Sequence, residues 1–350
     1  MIPNYKNIHN RFKINGFHLD KEALFQLAYS FIKEGEIFEK EIGAFLLDWL
    51  DDSETIQLMT SGTTGAPKLI TLEKQAMVYS AIATANFFDL HPGNKALLCL
   101  PTRYIAGKMM LVRAFTIGLE LDIMPSSSHL DNLLPQNVYD FVALVPMQAQ
   151  QSLSKLNQFK KIIIGGAPVS TVLSEALQNI KGEAYETYGM TETITHIAAR
   201  KINESTFKVL PNINIATDDR NCLIITAPEI SSSPIVTNDI VEISNKNEFK
   251  WLGRFDNVIN SAGIKLFPEQ IAAKLESDIT QRFFIAGVFD ETLGQKVVLV
   301  IEGDKYSIDK SIFKVLDKYE QPKEIHFVPK FYMTETDKIN IKKTLSKIGL

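Results

Sequence analysis

The sequence predicts an α/β protein: a large N-terminal domain on mainly parallel sheets with a β-rich element, followed by a small α+β C-terminal domain. Two observations carry this. Between residues 74 and 179 short apolar runs of strand length alternate with segments of helical period, the order that lays helices on a parallel sheet. After Asn221 the texture changes to short strands separated by polar turns, and from Asp256 strands and helices alternate again on a smaller scale.

Taken in order, Leu24, Leu27, Ala28 and Phe31, then Ile42, Phe45, Leu46 and Leu50, fall at helical spacing and predict two helices within 20–50. Buried strands are expected at 96–100, 121–124, 141–145 and 162–164, with helices over 74–88, 107–118, 146–157 and 169–179. Residues 223–226, 240–243 and 249–252 supply the β-rich element. Beyond Asp256 the pattern gives a hairpin, a helix over 268–277, strands over 283–289 and 297–302, a helix over 308–319 and a strand over 324–328. The boundary divides the chain into 1–254 and 255–350.

The 350 residues are 45% hydrophobic and 22% charged, with a formal net charge of −4. That balance gives no basic footprint for nucleic acid. The densest basic stretch, Lys338, Lys342, Lys343 and Lys347, reads for its last three members as a solvated helix face. The N-terminal residues lack the apolar centre of a signal peptide, and no apolar run reaches membrane-spanning length, so a cytoplasmic location without membrane insertion is expected. Cys99 and Cys222 sit in apolar runs as core thiols, too few for a disulfide framework or a zinc site.

The most informative segment is Thr60-Ser61-Gly62-Thr63-Thr64-Gly65-Ala66-Pro67-Lys68. Gly62 and Gly65 permit backbone conformations that turn successive N–H groups toward one anion, the hydroxyls of Ser61, Thr63 and Thr64 add donors, and Lys68 adds a charge. The spacing is not that of a P-loop NTPase. Three further segments keep it company: Tyr188-Gly189-Met190-Thr191-Glu192-Thr193 after a strand end, Gly253-Arg254-Phe255-Asp256 with the following stretch to Glu269, and Thr334-Glu335-Thr336-Asp337-Lys338-Ile339-Asn340. A carboxylate placed as Glu192 is can hold Mg²⁺ shared with phosphates.

Those four segments, in that order from about residue 55 onward, resemble the adenylate-forming superfamily of acyl-CoA synthetases, acyl-adenylating ligases and luciferases. With the compact length and Leu144-Val145-Pro146-Met147-Gln148 before a helix, the chain is most similar to its o-succinylbenzoate-CoA ligase branch, which acts in menaquinone biosynthesis. The resemblance implies an ATP-dependent ligase that makes an acyl-adenylate and then a CoA thioester, with ATP, Mg²⁺ and CoA as small-molecule partners.

It also implies roles. Ser61 to Lys68 would wrap the β- and γ-phosphates; Gly165, Gly166 and Ala167 would lie along the adenine; Tyr188, beside Gly189, would stack on it. Thr191 would donate to the α-phosphate and Glu192 would bind Mg²⁺. Asp239 and Arg254 would reach the ribose. Lys338 would bridge the acyl carboxylate and the ribose-phosphate oxygens, where a cation lowers the cost of bringing two anions together. Asp256 would be the hinge of a mobile C-terminal domain, and Gly263 the backbone that the pantetheine arm slides past. For the second carboxylate of o-succinylbenzoate the candidates are Arg103, Lys108, His196 and Arg200; each alone reads more readily as a surface charge, and His196 at least as readily as a core or rim histidine.

The chain departs from the family pattern at Tyr104, where His is common, at Asn238 and Asp337, where Gly is common, and in a shortened N-terminal region that leaves the acyl pocket more open or completed by another subunit of a homo-oligomer. Two alternatives stay open: an acyl or aryl adenylating ligase for another carboxylate or a carrier-protein acceptor, and a non-catalytic adenylate-binding protein.

Overall fold

The computed structural model describes residues 3–60, 68–333 and 339–350. Two short strands, β1 (Lys13–Ile14) and β2 (Phe17–His18), precede the helical pair α1 (Lys21–Glu34) and α2 (Ile37–Leu50). Asp20 caps α1 by accepting from the Ala23 N–H, and Glu36 with Glu39 forms a reciprocal box at the start of α2. These caps satisfy orphan N–H groups where the periodic apolar residues begin. An antiparallel hairpin of β3 (Thr55–Thr60) and β4 (Lys68–Glu73) follows, with Thr60 opposite Lys68. Ser61 to Pro67, which join those two strands, lie outside the described residues, as does the Lys68 side chain.

The layered part comprises α3 (Lys74–Phe88), β5 (Lys95–Leu98), α4 (Ile105–Ile117), β6 (Glu120–Ile123), β7 (Tyr139–Leu144), α5 (Pro146–Gln151), β8 (Phe159–Ile164), α6 (Thr171–Leu177) and β9 (Glu183–Gly189). Strands β6, β5, β7, β8 and β9 are neighbours in that order and all pair in parallel. The sheet then turns antiparallel through β10 (His196–Lys201), β11 (Phe207–Val209), β12 (Asn214–Thr217), β13 (Cys222–Thr226), β14 (Ile235–Asn245) and β15 (Glu248–Arg254), making one 13-stranded sheet with β1 and β2 at its far edge. Helix α4 is buried on every side from Gly107 to Ile117, as expected of a helix sandwiched between layers.

After Arg254 a second sheet of five strands takes over: β16 (Ile259–Ser261), β17 (Ile264–Leu266), β18 (Phe283–Asp290), β19 (Gly294–Glu302) and β20 (Glu324–Val328), with α7 (Pro268–Leu275) and α8 (Ile341–Lys347). It has its own core, Ile259, Ile271, Leu275, Ile285, Val297 and Leu299 among others. The fold is therefore a large mixed α/β domain followed by a smaller β-rich C-terminal part. Among the described residues no helix is long and apolar enough to cross a membrane. Cys99 and Cys222 are both buried and unbridged.

Two helices differ from the pattern-based expectation. The segment 146–157 breaks at Ser152, whose Oγ accepts from the Leu130 N–H, and continues as a 3₁₀ helix over Leu153–Gln158. The segment 308–319 forms only a 3₁₀ turn over Lys310–Val315, because its two buried residues, Phe313 and Leu316, stand three apart and suit the tighter winding.

Candidate active site

Chain order and spatial order disagree at one place in the parallel sheet: β5 leads to β6 on one side, while β7, β8 and β9 follow on the other. Such a reversal opens a crevice beyond the carboxyl ends of the strands, the standard location for ligands in open α/β sheets. The segments after β5, β7, β8 and β9 meet that edge, and they contain Arg103, Pro146, Gly165 to Ala167 and Thr191 to Thr193. The crevice is braced by Gln148. Its Nε2 donates to the carbonyls of Cys99 and Ser127, while its Oε1 accepts from the Val145 N–H.

Gly165 and Gly166 are glycines for two reasons. A Cβ on Gly165 would stand 2.5 Å from Thr187 Oγ1, and Gly166 has φ +87°. Gly166 and Ala167 are exposed and leave an unobstructed ledge. Thr191 and Glu192 lie on a single 3₁₀ turn after β9, with Glu192 exposed. That turn closes through a γ-turn at Ile194 (φ +67°, ψ −57°), where the Thr195 N–H reaches the Thr193 carbonyl at 2.7 Å. Gly189 sits opposite His196 in the β9–β10 ladder.

Tyr188, Asp239, Arg254 and Asp256, far apart in sequence, come together on the antiparallel side of the sheet. The Tyr188 ring packs edge-on against Phe249 and tilted against Phe207, and its hydroxyl donates to Asp239 Oδ2 at 2.7 Å. Burial and the Asp239 charge push the Tyr188 phenol far above its ordinary value, so it is a permanent donor. Asp239 pairs with Arg254 across the β14–β15 ladder, with Arg254 Nε 3.7 Å from Oδ1. Asn238 Nδ2 donates to Asp256 Oδ2 at 3.4 Å, and Arg220 clasps Asn238 while lying over Phe255. One residue absent from the sequence-derived set joins them: the Trp251 indole N–H donates to Asp239 Oδ1 at 3.2 Å.

The four candidates for a second carboxylate do not converge. Arg103 lines a cleft of about 510 Å³ between α2 and the ends of β5 and β6, where it pairs with Glu41 at 3.0 Å. Lys108 is buried on α4 over the Phe45 ring, and desolvation lowers its pKa. Arg200 lines a different cavity, held to Glu186 at 2.6 Å and stacked over Phe207. His196 is buried, and burial together with the Arg113 charge holds it well below the ordinary histidine value, so it is a neutral ring rather than a cation.

The Arg113 just mentioned is, with Trp251, a residue that sequence reasoning missed. It is 1% exposed, within a hydrogen bond of Thr195 Oγ1 (3.4 Å) and of the Met110 sulfur. Its Nε and the neighbouring His196 Nε2 have no partner among the described residues. Desolvation brings the guanidinium down to about 9, which leaves it charged at neutral pH.

Gly263 occupies, with Ala262, the two-residue turn between β16 and β17, both at positive φ (+79° and +51°). A Cβ there would meet nothing, so the demand for glycine visible here is the turn's left-handed backbone, not space. Lys338 lies outside the described residues, which resume at Ile339 in an antiparallel bridge with Met333.

A crevice at the carboxyl ends of parallel strands, bordered by the ledge of Gly165 to Ala167 and the turn of Thr191 to Thr193, with the buried carboxylate of Asp239 on the antiparallel side of the sheet, is the arrangement of a nucleotide-handling α/β enzyme. The model of the AMP-binding enzyme family matches residues 45–222. The chain is similar to an acyl-CoA synthetase (AMP-forming)/AMP-acid ligase II-like protein of Dyadobacter fermentans, at 35% identity over 92% of this chain and 98% of that one, with a TM-score of 0.62. A 2-succinylbenzoate-CoA ligase of a Geobacillus strain is 24% identical over 83% of this chain and 68% of its own length. The o-succinylbenzoate coenzyme A synthetase of Bacillus subtilis, solved with ATP and a magnesium ion, shares the fold at 19% identity, covering 82% of this chain and 69% of that one, with a TM-score of 0.72. The protein belongs to the AMP-binding enzyme family and is an adenylate-forming ligase of the acyl-CoA synthetase type.

Proposed function

We propose that the protein joins a dicarboxylate of the o-succinylbenzoate kind to CoA, in two half-reactions at one site. A carboxylate oxygen of the substrate attacks the α-phosphorus of ATP, the bond to the leaving oxygen breaks, and acyl-AMP and pyrophosphate form. The CoA sulfur then attacks the acyl carbon, the bond to AMP breaks, and the thiol proton is lost to solvent.

The observation that carries the substrate reading is Arg113. An unpaired guanidinium in a low-dielectric interior is costly, and it becomes favourable only when an anion meets it. The activated carboxylate loses its charge on forming the acyl-adenylate, so a fixed cation buried on α4 behind the Thr191–Thr195 turn would serve a second carboxylate that stays ionised. Thr195 Oγ1 and the neutral His196 ring would complete its hydrogen bonds. The Geobacillus relative, by name, and the Bacillus subtilis enzyme use such a substrate.

For the nucleotide, Gly165 to Ala167 would border the base and the buried Asp239 would accept from the sugar hydroxyls. Glu192, exposed and single, fits a magnesium ion that takes most of its oxygen ligands from phosphate and water, supplying charge neutralisation when bound. Lys338 would stand between the two anions of the first half-reaction, and rotation about Asp256 would bring Gly263 to the site for the second. The cytoplasm, where ATP and CoA are abundant, is the location this chemistry suits.

The test is AMP release and ATP–pyrophosphate exchange over a panel of carboxylates including o-succinylbenzoate, benzoate and a long-chain fatty acid, with and without CoA. Preference for o-succinylbenzoate with CoA-dependent thioester is expected. Preference for a monocarboxylate rejects the substrate, and exchange without thioester formation points to a carrier-protein acceptor.

A further inference from the structure

We propose that Trp251 is a positioning residue for the nucleotide's ribose, holding the Asp239 carboxylate open to a vicinal diol by keeping it from closing onto Arg254. The proposal rests on the reading of Asp239 as the sugar acceptor.

Asp239 is buried, and its two oxygens are held by different donors: Oδ2 by the Tyr188 hydroxyl at 2.7 Å and Oδ1 by the Trp251 indole at 3.2 Å. Its own N–H is tied to Thr237 Oγ1 at 3.1 Å. A carboxylate offers about four lone-pair sites. Two aromatic donors therefore fix its plane and leave one site on each oxygen, side by side, which is the pattern that two adjacent hydroxyls can fill. Arg254 stands directly across the ladder, yet its Nε is 3.7 Å from Oδ1, beyond hydrogen-bond distance. The cation is near enough to bias the carboxylate and too far to consume it.

Without the indole N–H, the nearest donor for Oδ1 is that guanidinium. The carboxylate would turn toward it, the ion pair would shorten, and both groups would be withdrawn from a ligand. Tyr188 cannot substitute, because its hydroxyl is committed to Oδ2. The backbone that carries the indole is fixed on both sides: its strand pairs Val241 with Trp251, and the Trp251 carbonyl accepts from Gln270 Nε2 on α7 at 3.3 Å. Phe249, two residues earlier on the same strand, packs on Tyr188, so both donors to Asp239 rest on β15.

The experiment is Trp251→Phe, which keeps an aromatic ring and deletes one hydrogen bond to the carboxylate. KM for ATP and for 2′,3′-dideoxy-ATP is measured in the pyrophosphate-exchange reaction, and the ratio of the two is compared within each protein sample, so any loss of folded protein cancels. The wild type is expected to prefer ATP at least tenfold. The variant should raise KM for ATP about 10-fold or more, as loss of one hydrogen bond to a charged group gives, with kcat and the dideoxy KM within twofold of wild type. In an Asp239→Asn background the same substitution should change KM for ATP by less than twofold. Equal losses for both nucleotides, or no loss for ATP, would overturn the proposal while leaving the ribose role of Asp239 standing. A wild type that does not distinguish the two nucleotides would remove that role and this inference with it.

Discussion

Replacing Arg113 with Met separates binding from folding in opposite directions. The side chain is buried, among the described residues has only a 3.4 Å contact to Thr195 Oγ1 and a sulfur contact, and follows the buried apolar run Met109 to Val112 on its helix. Methionine has similar reach and no charge. Exchange of a buried ionic group for an apolar one of like volume is neutral or stabilising by about 1 to 4 kcal/mol, so the variant should melt at the same or a higher temperature. A charge-assisted hydrogen bond to a substrate carboxylate contributes about 1.5 to 3 kcal/mol. At about 1.4 kcal/mol per factor of ten, kcat/KM for o-succinylbenzoate should fall roughly 10- to 150-fold. KM for ATP should stay within twofold, and an analogue lacking the aromatic carboxylate, poor in the wild type, should lose little more. Thermal melts and pyrophosphate exchange on the same preparations test both halves. A variant that melts lower and loses all substrates alike would show Arg113 to be a structural group, and the dicarboxylate argument would fail.

Lys338→Ala should reduce pyrophosphate exchange by on the order of 100-fold while thioester formation from preformed acyl-AMP stays near normal; equal loss in both would reject the division of labour. At Gly263, Asn tolerates positive φ and Leu does not, so Asn should preserve the β16–β17 turn while Leu strains it by about 1 to 2 kcal/mol; exchange should survive both, and a thioester step impaired by Asn as well would point to the pantetheine path rather than to turn geometry. His196 is held neutral in the native state, so below its ordinary value of 6.5 the unfolded chain binds a proton that the native chain does not. Stability should therefore fall as pH drops below about 6.5, by up to about 1.4 kcal/mol per unit from this group, and His196→Gln should flatten that part of a urea-melt series; an unchanged slope would refute the assignment.

Much of the architecture could be read from the sequence because local pattern and tertiary placement agree there. Residues 74–88 have the period and the burial of the same helix, and the parallel strands are plain apolar runs. The residues 308–319 misled because their apolar spacing serves period three as well as 3.6. In the site, Tyr188, Asp239 and Arg254 each carry a motif around them, although nothing in the sequence says that the ring spans β11 and β15 to reach Asp239. Trp251 has no such signal: in Phe249-Lys250-Trp251-Leu252 a tryptophan reads as any strand aromatic, and only the β14–β15 register turns its N–H to the carboxylate. Arg113 did have one, a charge flanked on both sides by apolar residues in a helix, which marks a residue that cannot snorkel to water. Arg103, next to Tyr104 in the segment after β5, attracted attention by proximity, but its side chain is 60% exposed and answers Glu41.

The contact between α6 and α7 has a consequence for timing. Thr171 opens α6, and both its N–H and its hydroxyl lie within hydrogen-bond distance of Glu276 Oε2, just past the end of α7, at 2.9 and 3.3 Å. Any swing of the C-terminal part about Asp256 has to release that carboxylate to water and leave the Thr171 N–H to find another acceptor. The contact thus acts as a detent, a shallow well of about 1.5 to 3 kcal/mol for a charge-assisted pair. In the proposed alternation that depth would hold the observed orientation for more than nine-tenths of the time against an otherwise equal alternative, and would be shallow enough to cross in each turnover.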